Sequence, residues 1–356
     1  MIDLGPPSRL AGASRPAALG LVAAIAALLL VALWPSATPP AAPKLRTKAS
    51  QQSDLALYRT IIARMRAGEG YYPAAADELR RDGYPLKPVF TVRLPTLATL
   101  YARLGEPMMI AIEALVALAA LLVWWRRLEP WPLWLKAFGV VLFAGGTGGL
   151  VEPVTGLFHE SWAALLMALA LGLWRPRRAW PAILIAGAAL MIRETVLPFV
   201  LMMSLLAAVE KRWREAAGWL VPVALFALYL GWHAGQVAAV VRPGDPASPG
   251  WQALLGLRFA LRALGSVNAL ILAPYAVAAV VLLLSIVGWC SLDRPWGLRA
   301  AGLLVGYTAM VGLFARADTF YWALLAAPLS LVGVTFVPAA VRDLARALRP
   351  VAVSPA

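Results

Sequence analysis

One cysteine, Cys290, in 356 residues leaves no intramolecular disulfide and no thiolate metal centre, and two histidines exclude a histidine-rich metal site. Charge is scarce as well. Only 14% of residues are Asp, Glu, Lys or Arg, with 18 acids against 32 bases, while 61% are hydrophobic. With a mean hydropathy of +0.74, the chain is too apolar for a soluble domain. Several apolar runs are long enough to cross a bilayer, so a polytopic membrane protein is predicted. The net charge of +14 comes from bases in short loops between apolar runs. Topology and anionic headgroups account for such loops, and nucleic acid is not expected as a partner. No internal repeat is visible.

The few charges sort by side once the apolar runs are threaded through a membrane. Arg126 and Arg127, then Arg175, Arg177 and Arg178, then Lys211, Arg212 and Arg214, then Arg294 and Arg299, and finally Arg342, Arg346 and Arg349 fall on one face. The positive-inside bias makes that face, and the N-terminus with Arg9 and Arg15, cytoplasmic. Spans are expected near 17–34, 108–125, 134–157, 160–174, 180–209, 217–233, 267–289, 298–315 and 319–338. The run 180–209 is too long for one crossing and is interrupted by Arg193-Glu194 and Pro198. A break that turns the chain back keeps Arg212 inside, giving about nine or ten spans. The glycines 145, 146, 148 and 149 with Pro153 predict an irregular or closely packed span. Tryptophans near span ends, Trp34, Trp124, Trp125, Trp162 and Trp322 among them, suit an interfacial belt.

Residues 36–107 form the only sizeable polar segment, expected as a structured outer loop within a single integral membrane domain, 1–356. Ser53-Asp54 is read as opening a helix with Leu55, Tyr58, Ile61, Ile62 and Met65 on one stripe, lying on the membrane surface and closed by Gly68 and Gly70. A second helix is expected from Pro73 to Gly83. Asp54 reads equally as a helix N-cap and as a surface carboxylate able to take a proton from a hydroxyl. His159-Glu160 reads as a helix start, with Glu160 complementing the dipole, or as a relay or divalent-ion site. Arg258 and Arg262, four residues apart on an amphipathic helix, suit a donor phosphate or lipid headgroups.

Asp54-x-x-x-Tyr58, the turn Gly68-Glu-Gly-Tyr-Tyr-Pro73, Arg93-Leu-Pro95 and Arg193-Glu194 within a hydrophobic stretch, together with many short spans, resemble the GT-C glycosyltransferases. The likeness covers roughly residues 15–240 in organisation. It implies an all-α, GT-C-like bundle using a polyprenyl-phosphate-linked sugar as donor and a lipid, glycan or protein as acceptor. It also implies that Asp54 is the catalytic base. Gln51, Gln52 and Ser53 precede Asp54, so the acidic pair of that family's pattern is absent and no metal is assigned.

Inverting transfer from a phosphate-linked sugar also needs cations for the leaving phosphate. Arg93, Arg193 and Arg316 are the candidates, because a guanidinium binds phosphate through two donors and stays protonated. Each also has a structural reading: Arg193 paired with Glu194, Arg316 with Asp318, Arg93 with interfacial lipid. Tyr58, Glu69, His159, Glu160, Glu194 and Asp318 are supporting candidates. The expected enzyme sits in a bacterial inner membrane with its site outside. The rival readings are a lipid or solute transporter or flippase, with the same pairs as gates, and a non-catalytic protein of GT-C-like architecture.

Overall fold

The computed structural model of the chain describes residues 3–34, 48–150 and 156–349, with backbone alone for 48–54. The described residues are helical and contain no strand. The elements are α1 (Arg15–Leu33), α2 (Lys48–Arg66), α3 (Tyr71–Arg81), α4 (Thr96–Leu104), α5 (Glu106–Arg127), α6 (Leu133–Thr147), α7 (His159–Leu173), α8 (Trp180–Ile192), α9 (Leu197–Val209), α10 (Trp213–Val240), α11 (Gly256–Ser266), α12 (Tyr275–Ser291), α13 (Pro295–Phe314) and α14 (Val337–Leu348). Between α13 and α14 the chain descends through two 3-10 segments, Phe320–Leu329 and Val332–Phe336. Six segments among the described residues are long and apolar enough to cross a membrane, and four further apolar helices are shorter. The protein is therefore a multi-pass helical bundle of membrane type.

The centre of the bundle is α7, thirteen of whose fifteen residues are buried. It packs against α5, α8 and the Phe320–Leu329 segment. The periphery is the reverse: α1 buries only Ala18 and Ala32 and turns Leu19, Leu28, Leu30 and Val31 outward. An apolar outer surface is what lipid requires, since hydrocarbon cannot satisfy polar groups. Not every terminal tryptophan faces that surface. Trp124 is buried with its indole N–H on the Ala168 carbonyl at 3.0 Å, and Trp162 is buried with its N–H on Gly156 at 2.8 Å. Trp34 alone among the five named above is two-thirds exposed. Burial with a bonded N–H gains packing area that a belt position does not.

The run 180–209 is broken where the proline and the ion pair stand. Helix α8 ends at Ile192, Arg193 is extended, one 3-10 turn spans Glu194–Val196, and α9 begins with Pro198 in its first turn. Proline is tolerated there because the first-turn N–H has no helical partner. Packing on α10 fixes the directions. Ile183 and Gly187 of α8 meet Gly218 and Pro222 in that order, whereas Phe199 and Ser204 of α9 meet Trp219 and Ala216 in the reverse order. The chain does turn back. Arg193 and Arg212 consequently sit at opposite ends of the bundle.

At the Arg212 end, Arg299 bonds Glu210 at 2.9 and 3.0 Å and lies over the Trp174 ring, 3.9 Å from its centroid. Arg212 pairs with Glu210 and Glu215 and covers the same ring. The pairs hold Glu210 below the usual carboxylate range despite the burial that opposes it. Asp343 of α14 accepts from the backbone N–H and hydroxyl of Ser8 at 2.7 and 2.9 Å, tying the chain's start to this end.

The polar segment folds as a cap over the other end. Four sequence expectations change here. Helix α2 starts at Lys48, so Ser53-Asp54 lies inside it and does not cap it. The α2 stripe does not lie on lipid: Leu55, Leu57, Ile61 and Ile62 are buried against α3, α4 and the bundle. Helix α3 starts at Tyr71, two residues before Pro73, and ends at Arg81, capped by Asp82 with Gly83 in the left-handed region at φ +70°. The span expected at 134–157 is helical only to Thr147, followed by a 3-10 turn to Leu150, and Pro153 lies outside the described residues. Gly146 is the close approach foreseen, since a Cβ there would collide with the Ala327 carbonyl.

The cap is fastened to α10 and to the loop that follows it by polar bonds. Arg80 forks onto Asp245 at 2.7 and 2.9 Å. Buried His233 receives the Tyr72 hydroxyl at Nδ1, 2.9 Å, because its Nε2 lies 3.2 Å from the Val92 carbonyl, which can only accept.

Candidate functional site

A cavity of about 350 Å³ lies between the cap and the bundle end. Its walls come from α2 (Tyr58), α3 (Tyr71), the linker before α4 (Arg93), the start of α7 (Glu160), the α8–α9 turn (Arg193, Glu194), the loop before α11 (Ser248, Trp251) and the stretch after α13 (Arg316, Asp318, Tyr321). Seven separate stretches of chain thus contribute one wall each, and no two of the three arginines are neighbours in sequence.

Arg193 is the most enclosed, only 1% exposed. Its Nε stands 2.8 Å from Glu160 Oε1, and its Nη1 donates to Glu194. The Glu160 contact is one of charge, because neither Nε nor Oε1 finds an aligned hydrogen-bond partner. Two carboxylates therefore hold one guanidinium, fixing the start of α7 against the α8–α9 turn. Glu160 does occupy the first turn of α7, where the helix dipole favours it. Its larger role is as the counter-charge of Arg193.

Arg316 is also engaged. It forks onto Asp318 with both contacts at 3.0 Å, and its Nη1 donates to the Gly250 carbonyl at 2.7 Å. The hydrogen bonds to Asp318 raise its pKa above the ordinary arginine value, with burial opposing. This pair joins the 248–251 loop to the stretch after α13.

Arg93 differs from both. Its Nη2 donates to the Tyr321 hydroxyl at 3.0 Å and comes no nearer than 3.8 Å to Glu160. A guanidinium has five N–H donors, and Arg93 has committed the fewest of them to carboxylates. Its position is set from the backbone, whose carbonyl accepts the Tyr71 hydroxyl at 2.7 Å. Burial pushes the Tyr71 phenol well above the usual tyrosine pKa, so it stays a donor.

Three arginines and three carboxylates make the cavity nearly neutral as it stands. An anionic ligand would find the uncommitted donors on Arg93, and would engage Arg316 by displacing Asp318, whose side chain is half exposed. Tyr58, Tyr71, Phe90, Trp251 and Tyr321 supply flat apolar faces around the charges.

Of the other candidates, Glu69 lies away from the cavity. It forks onto Arg64 with both bonds at 2.6 Å, closing the α2–α3 turn. His159 is buried in a small recess beside the cavity, its ring 5.8 Å from that of Tyr58. Asp54 falls in α2, one helical turn before Tyr58, and its side chain lies outside the described residues. Arg258 and Arg262 do not line the cavity. Among the described residues no group of three or more His, Cys, Asp or Glu gathers at metal-binding distance.

Sequence reasoning missed Tyr71, Trp251 and Tyr321. Tyr71 and Trp251 each follow a glycine, a pattern too common to single out, and Tyr321 follows Phe320 in an apolar run with no local signal. Comparison with protein-family models, with curated proteins and with solved structures gave no match.

Proposed function

We propose that this chain is a membrane-embedded glycosyltransferase whose cavity takes the phosphate-linked sugar head of a polyprenyl-phosphate donor on the outer face of a bacterial inner membrane. The observation that carries the reading is the convergence of Arg93, Arg193 and Arg316 on one cavity at the end of an apolar helical bundle. A donor with a hydrocarbon tail and an anionic, polar head matches that junction of lipid and charge.

In the proposed reaction the acceptor hydroxyl oxygen bonds to the anomeric carbon as the bond from that carbon to the phosphate oxygen breaks. Polyprenyl phosphate leaves with the electron pair, and its growing charge is met by Arg93. Asp54 takes the hydroxyl proton, a role that rests on the GT-C resemblance and on its place one turn before the cavity residue Tyr58. Arg193, held by two carboxylates, keeps the walls in register.

The test is transfer from a radiolabelled polyprenyl-phosphate sugar by the purified protein in liposomes. Asp54→Asn should lower the chemical step by roughly a hundred- to ten-thousandfold while leaving donor binding nearly unchanged. Full activity in that variant would place the base elsewhere. A wild-type protein with neither turnover nor affinity for such donors, but able to move a solute across the vesicle wall, is a transporter.

A further inference from the structure

A second cavity, also about 350 Å³, shares no lining residue with the charged one and is almost wholly apolar. Ile25 and Leu28 of α1, Leu257 of α11, Ile286 of α12, and Ala309 and Leu313 of α13 line it. It lies within the spanning helices, and α1, its outermost wall, is nearly all exposed.

Above this groove stand two arginines. Arg258 and Arg262, four residues apart on α11, both place their guanidinium over the Tyr275 ring, 5.6 and 5.2 Å from its centroid. Tyr275 is the first residue of α12 and donates its hydroxyl to the Ala32 carbonyl of α1 at 2.9 Å. Arg258 donates to the carbonyl of Trp34, just past the end of α1. The arginines therefore mark the top of the α1–α11–α12 junction. The groove begins at Leu257, next to Arg258, and runs down from there: Leu28 is six residues below Trp34, and Ile286 eleven below Tyr275. At 1.5 Å per residue these are drops of roughly 9 and 16 Å, comparable with the step from a lipid phosphate to its chains. Arg262 has no carboxylate partner among the described residues.

We propose that this junction is a binding site for one anionic phospholipid, with its phosphate at Arg258 and Arg262 and a hydrocarbon chain in the groove. Cations held over an aromatic face at the membrane boundary favour a phosphate. The apolar groove beneath favours a chain over water. A free phosphate would satisfy the arginines and leave the groove unused, so the occupant is a lipid. The groove and the charged cavity share no lining residue, and the lipid proposed here is a second one, additional to the donor.

The test is native mass spectrometry of the full chain from nanodiscs of phosphatidylglycerol or of phosphatidylcholine. Wild type is expected to retain one phosphatidylglycerol through detergent release, and to retain phosphatidylcholine at least fivefold less. Arg258→Gln with Arg262→Gln should remove the preference, each arginine accounting for about a fivefold change in affinity. Ala309→Phe, which fills the groove from α13, should reduce retention of both lipids while the arginines remain. Inorganic phosphate at millimolar concentration should not displace the lipid. Equal retention of the two lipids by wild type, an unchanged Ala309→Phe variant, or displacement by phosphate would each overturn the proposal. Thermal unfolding of each variant in detergent without added lipid identifies misfolding, and a misfolded Ala309→Phe is replaced by Ala309→Leu.

Discussion

Glu160 and Arg193 lie 33 positions apart in sequence and 2.8 Å apart in space, each with a side chain only 2% exposed. The charge pair joins the start of α7 to the α8–α9 turn, and Glu194 completes it. Removing one member leaves an uncompensated buried charge, which typically costs about 3–5 kcal/mol. Arg193→Met should therefore lower unfolding stability by that order, and Glu160→Gln by less, because Glu194 still serves Arg193. The measurement is denaturant or thermal unfolding in detergent. A fully stable Arg193→Met protein would show that the guanidinium is retained for a ligand and not for the walls.

In the proposed function the donor-facing role falls to Arg93. Arg93→Gln should leave the fold intact and weaken binding of polyprenyl phosphate by about ten- to a hundredfold, the range of one or two charged hydrogen bonds. Arg93→Lys should recover part of that, since an ammonium supplies charge without the two-pronged fit. Titration of each purified variant with the donor lipid decides. An unchanged Arg93→Gln affinity beside a weakened Arg316→Gln would move the phosphate to the other wall.

The helical membrane class, the turn at Arg193 and the sorting of charge to two ends were legible in the sequence because each depends on a local rule: run length, proline, loop arginines. Glu160 was seen beside His159, but its partner was not, because a contact across 33 residues leaves no local pattern. The surface stripe of α2 was legible as a stripe and misread as to what covers it. An apolar face looks the same whether lipid or α3 and α4 lie against it. Tryptophans near span ends were misread for the same reason. Trp124 and Trp162 lie three residues from the ends of their helices yet are buried.

The clasp between the cap and the loop after α10 gives a pH dependence. The Arg80 guanidinium and the Arg242 backbone N–H hold the Asp245 carboxyl below its ordinary value. A depressed carboxylate contributes stability above its unfolded pKa of about 3.9 and loses it as pH falls toward the folded value. The protein should therefore exceed Asp245→Asn in cap protection at pH 6, with the gap closing as pH drops below about 4. Hydrogen exchange over residues 71–81 reads this directly. A gap that stayed constant down to pH 2 would assign the difference to shape and not to charge.

The turn at Glu194–Val196 puts Thr195 at the cavity and leaves Arg212 beside Glu210 and Arg299 at the far end. With Cys290 replaced by serine, single cysteines at these two positions should react from opposite sides of a sealed vesicle. The positive-inside bias assigns the Arg212 side to the cytoplasm, so impermeant maleimide in whole cells should reach Thr195→Cys and Ser248→Cys and spare Arg177→Cys and Arg212→Cys. Labelling of Arg212→Cys from outside with Thr195→Cys unreachable from either side would require a continuous α8–α9 crossing, against the packing of both helices on α10. Labelling of Arg177→Cys and Arg212→Cys alone from outside would keep the fold and invert it. The cavity would then face the cytoplasm, and the proposed transfer could not use a donor presented on the outer leaflet.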